Sequence, residues 1–483
     1  MSWDEPLFYN YADSIRMAYT PQALTPGFDF YQVFGRSPED HKIYGPAYLL
    51  LARPLQQLVM KLANVDVPSA WHLVNFFAFQ LGFVAFYLLL LRWFDPWPAT
   101  ATAAFFAWQP LFWGHAFINP KDIPFMVFFL LALVSGLWFI DGLEPTVKRN
   151  HWARMLLAGL LLGLASATRV IGPLAGVVIF AYFALRKKWR QWPFFLGYGL
   201  VSILVMFVFW PYLWSNPIQN FLGVFKHMSN NPTELAVLFD GQVYHANLMP
   251  RSYIPKMLIL TLTEPTWTLV GMGLFAGMVK FRSRSTDWRA PLALLGLSGL
   301  MLAYILIKNP AVYDGFRHFF FIIPPIFLFI GFSFQWLYHK LRPGLWIIII
   351  FVLLTPGIWQ IAHLHPYEYA YYNTIKGGVS GAFRNYESDF WLTCYKEAIE
   401  WTDKNAPGSV LHIQREFDLA SSFSGSLTLR NLGKETESDI RSGDLMLFNT
   451  RSNLDIRSIY RKLPVEHVIG RDSAEYCIIK RKD

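Results

Sequence analysis

The sequence predicts an all-α polytopic membrane protein that carries a small α/β domain outside the membrane. Of its 483 residues, 54% are hydrophobic and only 16% are charged, whereas a soluble protein has about 25% charged residues. The apolar residues form long runs, and the mean hydropathy is +0.29. Beyond residue 362 the composition becomes that of a soluble domain. These features exclude a soluble enzyme, a disordered chain and a nucleic-acid-binding protein.

The apolar runs are long enough for membrane helices. A helix needs about 20 apolar residues to cross the ~30 Å hydrocarbon core of a bilayer. Ten runs meet or approach that length, and the seventh is interrupted by Glu264 and Pro265. We expect ten spans, give or take one or two, at 69–91, 99–114, 123–140, 152–168, 171–185, 193–213, 256–279, 289–307, 317–338 and 345–361.

Basic residues alternate between loops and predict the orientation of these spans. Cytoplasmic loops carry an excess of Lys and Arg. We therefore expect the residues 1–68, the loop 214–255 and everything after 362 to lie outside the cytoplasm. The basic set that marks the cytoplasmic loops is Arg92; Lys148, Arg149 and Arg154; Arg186, Lys187, Lys188 and Arg190; Lys280, Arg282, Arg284 and Arg289; and Lys340 and Arg342.

The first 68 residues form an external loop in this arrangement, yet no apolar segment precedes them. A span at 44–62 is disfavoured by Arg53, Pro54 and Lys61, so we interpret this stretch as an amphipathic helix at the interface. Either the first span inserts with its N-terminus outside, or a transmembrane helix belongs upstream. We favour the upstream helix.

Two further external segments follow. In 214–255, the short apolar stretches Phe221–Phe225 and Leu235–Phe239 predict one or two surface helices that cover a cavity. The segment 363–483 is predicted to be the α/β domain, beyond the transmembrane domain 69–362. Its predicted elements are a helix at 390–404 that ends at Pro407-Gly408, and strands at 409–413, 445–449 and 475–480.

The two cysteines, Cys394 and Cys477, both fall in this last segment. They are too few for a disulfide scaffold or a cysteine metal centre, but one bridge between them is possible.

Ionisable residues are rare inside the predicted spans and concentrate at their outer ends. That distribution suits an enzyme that acts on a lipid head group. A lipid or solute transporter would place charges at mid-membrane, and many transporters consist of repeated halves, which this sequence lacks. A non-catalytic membrane assembly or sensor protein is the other alternative.

Three external carboxylates are candidates for general-base chemistry. Asp4 and Glu5 lie in Trp3-Asp4-Glu5-Pro6, and Asp122 lies in Asn119-Pro120-Lys121-Asp122-Ile123-Pro124. A carboxylate beside an apolar wall has a raised pKa and can accept a proton from a hydroxyl. The structural alternatives are a frayed terminal tail for the first pair and a helix N-cap for Asp122.

Basic residues at the same level are candidates for phosphate binding. Arg317, followed by His318, could hold a phosphate with two hydrogen bonds, or could anchor its helix at the interface. Arg251 flanks the long loop and could serve the same head group. Arg169 lies in a short external turn, where a structural pairing is the alternative. We find no metal-ligand spacing and no Gly-rich nucleotide loop.

Several short motifs together resemble the GT-C superfamily of polytopic glycosyltransferases. They are Asp4-Glu5, His41-Lys42-Ile43-Tyr44-Gly45-Pro46, Asn119 to Phe125, Ala167-Thr168-Arg169, Arg317-His318-Phe319, and His365 to Tyr369 with Tyr372-Asn373 and Gly377-Gly378. The pattern is similar to phospholipid-carrier-dependent, family 39-like members, which are relatives of the protein O-mannosyltransferases and the lipid A aminoarabinose transferase.

The resemblance implies transfer of a hexose or pentose from a polyprenyl-phosphate donor, with inversion, on the outer face of a bacterial plasma membrane. The acceptor could be a protein, a cell-wall polymer or a lipid, and the partners would not include nucleic acid. No nucleotide cofactor is needed, and for a divalent metal we favour none. The implied roles are catalysis for Asp4, Glu5 and Asp122, binding of the donor phosphate for Arg317, His318, Arg251 and Lys42, and substrate binding for His41, Tyr44 and Arg169.

Overall fold

The computed structural model describes residues 1–144, 149–229, 233–282, 287–436 and 439–482. Two basic residues used above for the orientation, Lys148 and Arg284, lie outside the described residues. The described chain is mostly helical, with one small sheet near its C-terminal end, and this confirms the predicted fold class.

The N-terminal segment folds against the apolar helices. A proline in its first turn suits the start of the first helix, because that turn needs no backbone donor there. The amphipathic helix predicted at 44–62 is present. Leu51, Leu55, Leu58 and Leu62 are exposed along one side of it, and it ends at Asn64 in the left-handed conformation, which asparagine tolerates. The helices are α1 (Glu5–Ser14), α2 (Pro38–His41) and α3 (Ala47–Ala63).

The apolar helices form the body of the protein. All ten predicted runs fall on them, but the run 99–114 is broken, because Pro110 opens a new helix. The run 256–279 bends by 102° at the break before Pro265. The bounds are α4 (Val67–Leu90), α5 (Pro96–Ala107), α6 (Pro110–Ile118), α7 (Asp122–Asp141), α8 (Arg149–Ser166), α9 (Pro173–Leu185), α10 (Trp192–Phe209), α11 (Pro217–Ser229), α12 (Tyr253–Leu260), α13 (Pro265–Arg282), α14 (Arg289–Lys308), α15 (Ile323–Lys340) and α16 (Pro343–Leu364).

Six of the described helices are long and apolar enough to cross a membrane, and the bent pair α12–α13 would make a seventh. The chain is therefore a polytopic membrane protein, while the total of ten spans stays a prediction. α7 packs against α4, α8 and α9 and is buried along most of its length. It lies in the interior of the helical body, as does α15.

The long loop after α10 is only partly as predicted. The stretch Phe221–Phe225 lies in α11, as expected. The stretch Leu235–Phe239, the other place where a surface helix could have formed, instead contains the first strand of a hairpin, so one helix of the predicted one or two is found in the described part of this loop. Asp240 and Gly241 turn the chain with positive φ angles of 50° and 77°, the conformation that a tight two-residue hairpin requires. The hairpin strands are β1 (Ala236–Phe239) and β2 (Gln242–His245).

The C-terminal part forms a five-stranded sheet in the order β4-β3-β5-β7-β6, with helices around it. The predicted helix and the three predicted strands are all present. A disulfide joins Cys394 to Cys477, as the sequence allowed. The elements are α17 (Gly378–Ala382), α18 (Cys394–Asn405), β3 (Val410–Ile413), α19 (Phe417–Ser421), β4 (Thr428–Asn431), β5 (Leu445–Asn449), α20 (Leu454–Arg457), β6 (Val465–Arg471) and β7 (Ala474–Arg481).

Buried polar contacts join this sheet domain to the hairpin and to the N-terminal segment. Glu387 links the hairpin to the sheet domain, because its Oε1 accepts from the backbone N–H of Leu238 at 2.7 Å and its Oε2 accepts from that of Ser452 at 3.0 Å. The backbone N–H of Trp3 donates to the carbonyl of Trp391 at 3.1 Å. The hairpin, the N-terminal segment and the sheet domain therefore meet at one end of the helices.

Candidate functional site

Charged side chains are concentrated at this meeting point. We refer to them as the outer cluster. It contains four cations, Lys121, Arg169, Arg317 and Arg451, and three carboxylates, Asp4, Asp122 and Asp314.

These side chains come together because each residue lies at or next to the end of a helix or strand. Asp4 directly precedes α1, and Asp122 is the first residue of α7. Arg169 lies in the turn between α8 and α9, and Arg317 opens a short 3-10 turn that leads into α15. Arg451 follows strand β5 of the sheet domain. Each residue sits at an element boundary, so each side chain can turn toward the same space.

Gly45 brings the N-terminal segment close to the turn after α8. A Cβ at this position would lie 2.0 Å from the carbonyl oxygen of Ala167, a distance that only glycine permits. This close approach sets the ring of Tyr44 5.8 Å from the guanidinium of Arg169 and 5.4 Å from the ammonium of Lys121. Tyr44, predicted to bind substrate, therefore lies at the edge of the outer cluster.

Five members of the outer cluster form an alternating ladder of charges. Asp122 is paired with Arg169 on one oxygen and with Arg317 at 3.0 Å on the other. Asp314 then bridges Arg317 at 3.2 Å and Arg451 at 2.7 Å. The side chains of Arg317, Asp314 and Arg451 are at most 1% exposed. The ladder therefore begins at Arg169, whose side chain is 12% exposed, and continues through buried side chains into the sheet domain.

The alternative that Asp122 is a helix N-cap is wrong. Lys121 occupies the N-cap position, and its side chain makes no capping hydrogen bond. The oxygen of Asn119 does the capping instead, because it accepts from the backbone N–H of Asp122 at 2.9 Å. The carboxylate of Asp122 is thereby left for the two arginines.

Asp4 is held by a cation and is not part of a frayed tail. Its Oδ2 lies 2.5 Å from the Nζ of Lys121. Burial by itself would raise the pKa of Asp4, but Lys121, Arg317 and Arg451 outweigh it, and the pKa lies below its ordinary value. The raised pKa expected from an apolar wall is therefore wrong for Asp4, because the sequence did not show that Lys121 would face it.

Glu5 is buried and makes different contacts. Its carboxylate accepts from the backbone N–H of Ser2 and from the hydroxyl of Tyr9, and it lies 2.7 Å from the Nε2 of His72. The contacts with Ser2 and Tyr9 hold the start of the chain together, and the contact with His72 joins it to α4. They favour a structural role for Glu5 over the predicted catalytic one.

Three other predicted residues have contacts of their own. His41 is buried, with its Nδ1 2.8 Å from the carbonyl oxygen of Phe34. Lys42 pairs with Glu39 at 2.5 Å. His318 packs edge-on against Tyr313, whose ring also lies 5.1 Å from the guanidinium of Arg317.

Arg251 is exposed, and no ion pair or hydrogen bond joins it to the outer cluster within the described part of the chain. Of these four, only His318 is in contact with the ring that borders Arg317. The phosphate-binding and substrate-binding roles of all four stay predictions.

Sequence reasoning missed several members of the outer cluster. Lys121 was inside a quoted motif but had no assigned role, and Asp314 was not singled out. Their signal was adjacency: Lys121 precedes Asp122, and Asp314 precedes Arg317 by three residues. Arg451 had no comparable signal, because it lies 134 positions from Arg317 in a polar turn. Trp391 was also missed, and its ring lies 4.7 Å from the guanidinium of Arg317.

The outer cluster has an excess of positive charge and of hydrogen-bond donors. Four cations face three carboxylates, which leaves one positive charge over. Within the described residues, several buried donor nitrogens around the cluster have no acceptor. They are the Nε atoms of Arg169, Arg317 and Arg451 and the indole nitrogens of Trp3 and Trp391. A site with spare donors and spare positive charge suits an anionic ligand.

The outer cluster does not fit a divalent metal ion. Asp122 is engaged by two arginines and Asp4 by a lysine, so a metal would compete with a cation for each carboxylate. Among the described residues, no group of three or more His, Cys, Asp or Glu side chains could hold a metal ion.

Comparison with known proteins identifies the fold. No protein-family model and no curated protein matches the sequence. The archaeal oligosaccharyltransferase AglB from Archaeoglobus fulgidus, solved with an inhibitory peptide and a dolichol-phosphate, is similar over 89% of this chain, with 12% identity and a TM-score of 0.52. The chain spans 61% of the length of AglB.

A second solved structure is ArnT from Cupriavidus metallidurans bound to undecaprenyl phosphate. It is similar over 98% of this chain and 93% of its own length, with 12% identity and a TM-score of 0.47. The arrangement shared with AglB, which includes apolar helices and a small sheet domain in this chain, shows that the two proteins have a similar fold.

Proposed function

We propose that the protein is a glycosyltransferase that moves a sugar from a polyprenyl-phosphate donor to an acceptor on the outer side of the membrane. The observation that carries this proposal is the outer cluster itself. It offers spare positive charge beside an ionised aspartate, at the outer ends of helices that a lipid chain can follow. The GT-C fold supports the same reaction class by analogy.

The ladder gives the donor phosphate a rigid binding surface. Asp122 holds Arg169 and Arg317 at the same time, so both guanidinium groups are already oriented before a ligand arrives. Such preorganised cations stabilise charge that develops on a leaving group without further reorganisation. Burial strengthens the effect, because the local dielectric constant is lower than that of water.

Asp4 is the proposed general base. Its lowered pKa means that it is ionised at neutral pH, which is the form that accepts a proton. Its pairing with Lys121 makes it a weak base in the free protein. A donor phosphate that attracted Lys121 would loosen this pair and raise the basicity of Asp4 at the moment the donor is bound.

The proposed reaction is a single displacement. The acceptor hydroxyl or amine gives its proton to Asp4 and forms a bond to the anomeric carbon. The bond from that carbon to the phosphate oxygen breaks, and its electron pair stays on the polyprenyl phosphate. Lys121, Arg169 and Arg317 are placed to neutralise the charge that develops there.

The test is transfer from a panel of labelled polyprenyl-phosphate sugars by membranes that contain the full chain. We expect one donor to be consumed, and the Asp4→Asn variant to lower turnover by about 10²–10⁴-fold while it still binds donor. Asp40→Asn is the matched control, because Asp40 is exposed in the same N-terminal segment. It should keep full turnover.

The outcomes separate the alternatives. Donor binding without turnover would indicate that the acceptor is missing from the assay, and the test is then repeated with protein, polymer and lipid acceptors. No donor binding by the folded protein would favour a non-catalytic assembly protein and would overturn the proposal. Net movement of the intact donor across the membrane would favour a transporter.

A further inference from the structure

A second polar site lies at the opposite end of α7. That helix has 20 residues, so Asp141 at its end is about 30 Å from Asp122 at its start. Around Asp141 is an open cavity of about 370 Å³. We refer to the side chains around it as the inner cluster, and they are Arg92, Trp93, Asp141, Tyr182, Arg186, Asp287 and Ala290.

The inner cluster contains two ion pairs whose arginines still have hydrogen-bond donors available for a ligand. Arg92 lies 2.5 Å from Asp141, whose other oxygen accepts from the hydroxyl of Tyr182 at 2.5 Å. Arg186 lies 2.7 Å from Asp287. The Nε of Arg92 is buried and has no acceptor within the described residues. Both arginines are only partly buried, at 24% and 27% exposed, so a ligand in the cavity can reach them.

The surroundings of the cavity add positive charge. Arg289 lies 3.6 Å from Asp287, and the Nζ of Lys188 lies 3.4 Å from the carbonyl oxygen of Asp141. With these two residues, and with Glu144, which acts electrostatically on Lys188, four cations face three carboxylates. Ala290, in the first turn of the 20-residue helix α14, also lines the cavity, and the start of a helix favours negative charge.

Tryptophans place the cavity at the level of lipid head groups. Indole rings collect at the boundary between hydrocarbon and water. Among the described residues, six of the seven exposed tryptophans lie at this end of the helices, and Trp359 lies toward the other end. The six are Trp97, Trp138, Trp152, Trp189, Trp192 and Trp336.

We propose that the inner cluster binds the phosphate group of an anionic phospholipid from the leaflet opposite to the outer cluster. Arg92 and Arg186 would each donate to the phosphate oxygens, in place of part of their present bonds to Asp141 and Asp287. The lipid tails would lie along the exposed apolar sides of the helices. A basic pocket between membrane helices at this level is a site of the kind that binds phospholipid head groups. The site is separate from the proposed transferase reaction.

The test is native mass spectrometry of the full chain with phosphatidylglycerol, with phosphatidylcholine, and with inorganic phosphate as a competitor. We expect the protein to retain phosphatidylglycerol in preference to phosphatidylcholine. Arg92→Gln and Arg186→Gln should each weaken that binding about tenfold, because each removes one charge-assisted hydrogen bond. Arg190→Gln is the matched control, since Arg190 is exposed on the same side and does not line the cavity.

Weaker binding in the arginine variants could also result from misfolding, so a variant that is expected to bind the lipid more tightly serves as a second test. Asp141→Asn removes the carboxylate that competes for Arg92, so it should strengthen retention of phosphatidylglycerol severalfold. Equal retention in all variants, or equal retention of phosphatidylcholine, would overturn the proposal. Displacement of the lipid by inorganic phosphate at equal concentration would keep the phosphate chemistry but assign the site to a free anion.

Discussion

The two ends of α7 carry the same chemistry in different surroundings. At the outer end, the paired side chains of Asp122 and Arg317 are each 1% exposed. At the inner end, Asp141 and Arg92 are 32% and 24% exposed. A buried ion pair costs several kcal/mol of desolvation per ion, whereas a partly hydrated pair costs little and contributes little. The outer cluster is therefore the arrangement with the larger desolvation cost, and the proposed catalytic use of fixed, largely buried charges would account for that cost.

The largest expected difference between the two ends is in stability. Asp122→Asn would leave Arg169 and Arg317 buried without their shared carboxylate, and we expect a loss of about 3–5 kcal/mol. Asp141→Asn at the other end should cost about 1 kcal/mol or less. Thermal unfolding of both variants in the same detergent measures the difference. Equal losses would show that burial does not distinguish the two ends.

The second expected difference is in donor use. Arg317→Ala should lower kcat/KM about 10²–10³-fold, because it removes a buried cation that faces the leaving phosphate. Arg342→Ala is its matched control: Arg342 is exposed at the opposite end of the helices and should leave kcat/KM within about twofold. A comparable loss in both variants would mean that overall positive charge, and not the outer cluster, attracts the donor.

The third expected difference concerns the charge ladder of the outer cluster. Arg451 holds Arg317 through Asp314, so we regard it as a positioning residue. Arg451→Gln should lower kcat about tenfold with little change in KM, and Arg451→Lys should recover part of that loss. The exposed Arg457, in α20 of the same domain, provides the control Arg457→Gln. A change confined to KM would indicate that Arg451 contacts substrate directly.

The smallest expected effect is in pH dependence. Asp4 must be ionised to act, and its pKa lies below the ordinary value of 3.8. We therefore expect kcat/KM to stay level from neutral pH down to about pH 5. The contribution of the Asp4–Lys121 pair to stability is likewise present above the ordinary pKa of an aspartate, and it is lost as the pH falls through the lowered one.

Removal of Lys121 should shift the acid limb of the pH profile, which is the pH range in which kcat/KM falls as the solution becomes more acidic. In Lys121→Met, burial of Asp4 is no longer offset by its nearest cation, so the decline in kcat/KM should begin at least about one pH unit higher. The exposed Lys61 supplies the control Lys61→Met. An unchanged acid limb in Lys121→Met would show that another group governs the profile.

The sequence predicted the parts of this structure that follow from local pattern. Long apolar runs predicted the positions of the helices, and a composition typical of a soluble domain predicted the sheet domain beyond residue 362. Asp122, Arg169 and Arg317 were found because they lie at the ends of apolar runs. The prediction of one or two helices in 214–255 left Leu235–Phe239 open, because a short apolar run fits a strand as well as a helix. The Asp240-Gly241 that follows is a hairpin signal, which favours the strand.

Other parts depend on contacts between distant segments. The pairing of Lys121 with Asp4 joins residues 117 positions apart, and that pairing sets the pKa of Asp4 below its ordinary value. Long-range pairing of this kind leaves no trace in composition or periodicity.

The disulfide between Cys394 and Cys477 has a consequence for where and when the site is completed. Disulfides persist in oxidising compartments and are rare in the cytosol, so the bond supports an external sheet domain independently of the basic loops. It also joins two positions 83 apart in sequence, with Arg451 between them. With the sheet domain on the proposed outer side, all of this stretch must cross the membrane before the bond can form. The ladder that ends in Arg451 would then be among the last parts of the protein to mature, which would keep the proposed transferase inactive until export is complete.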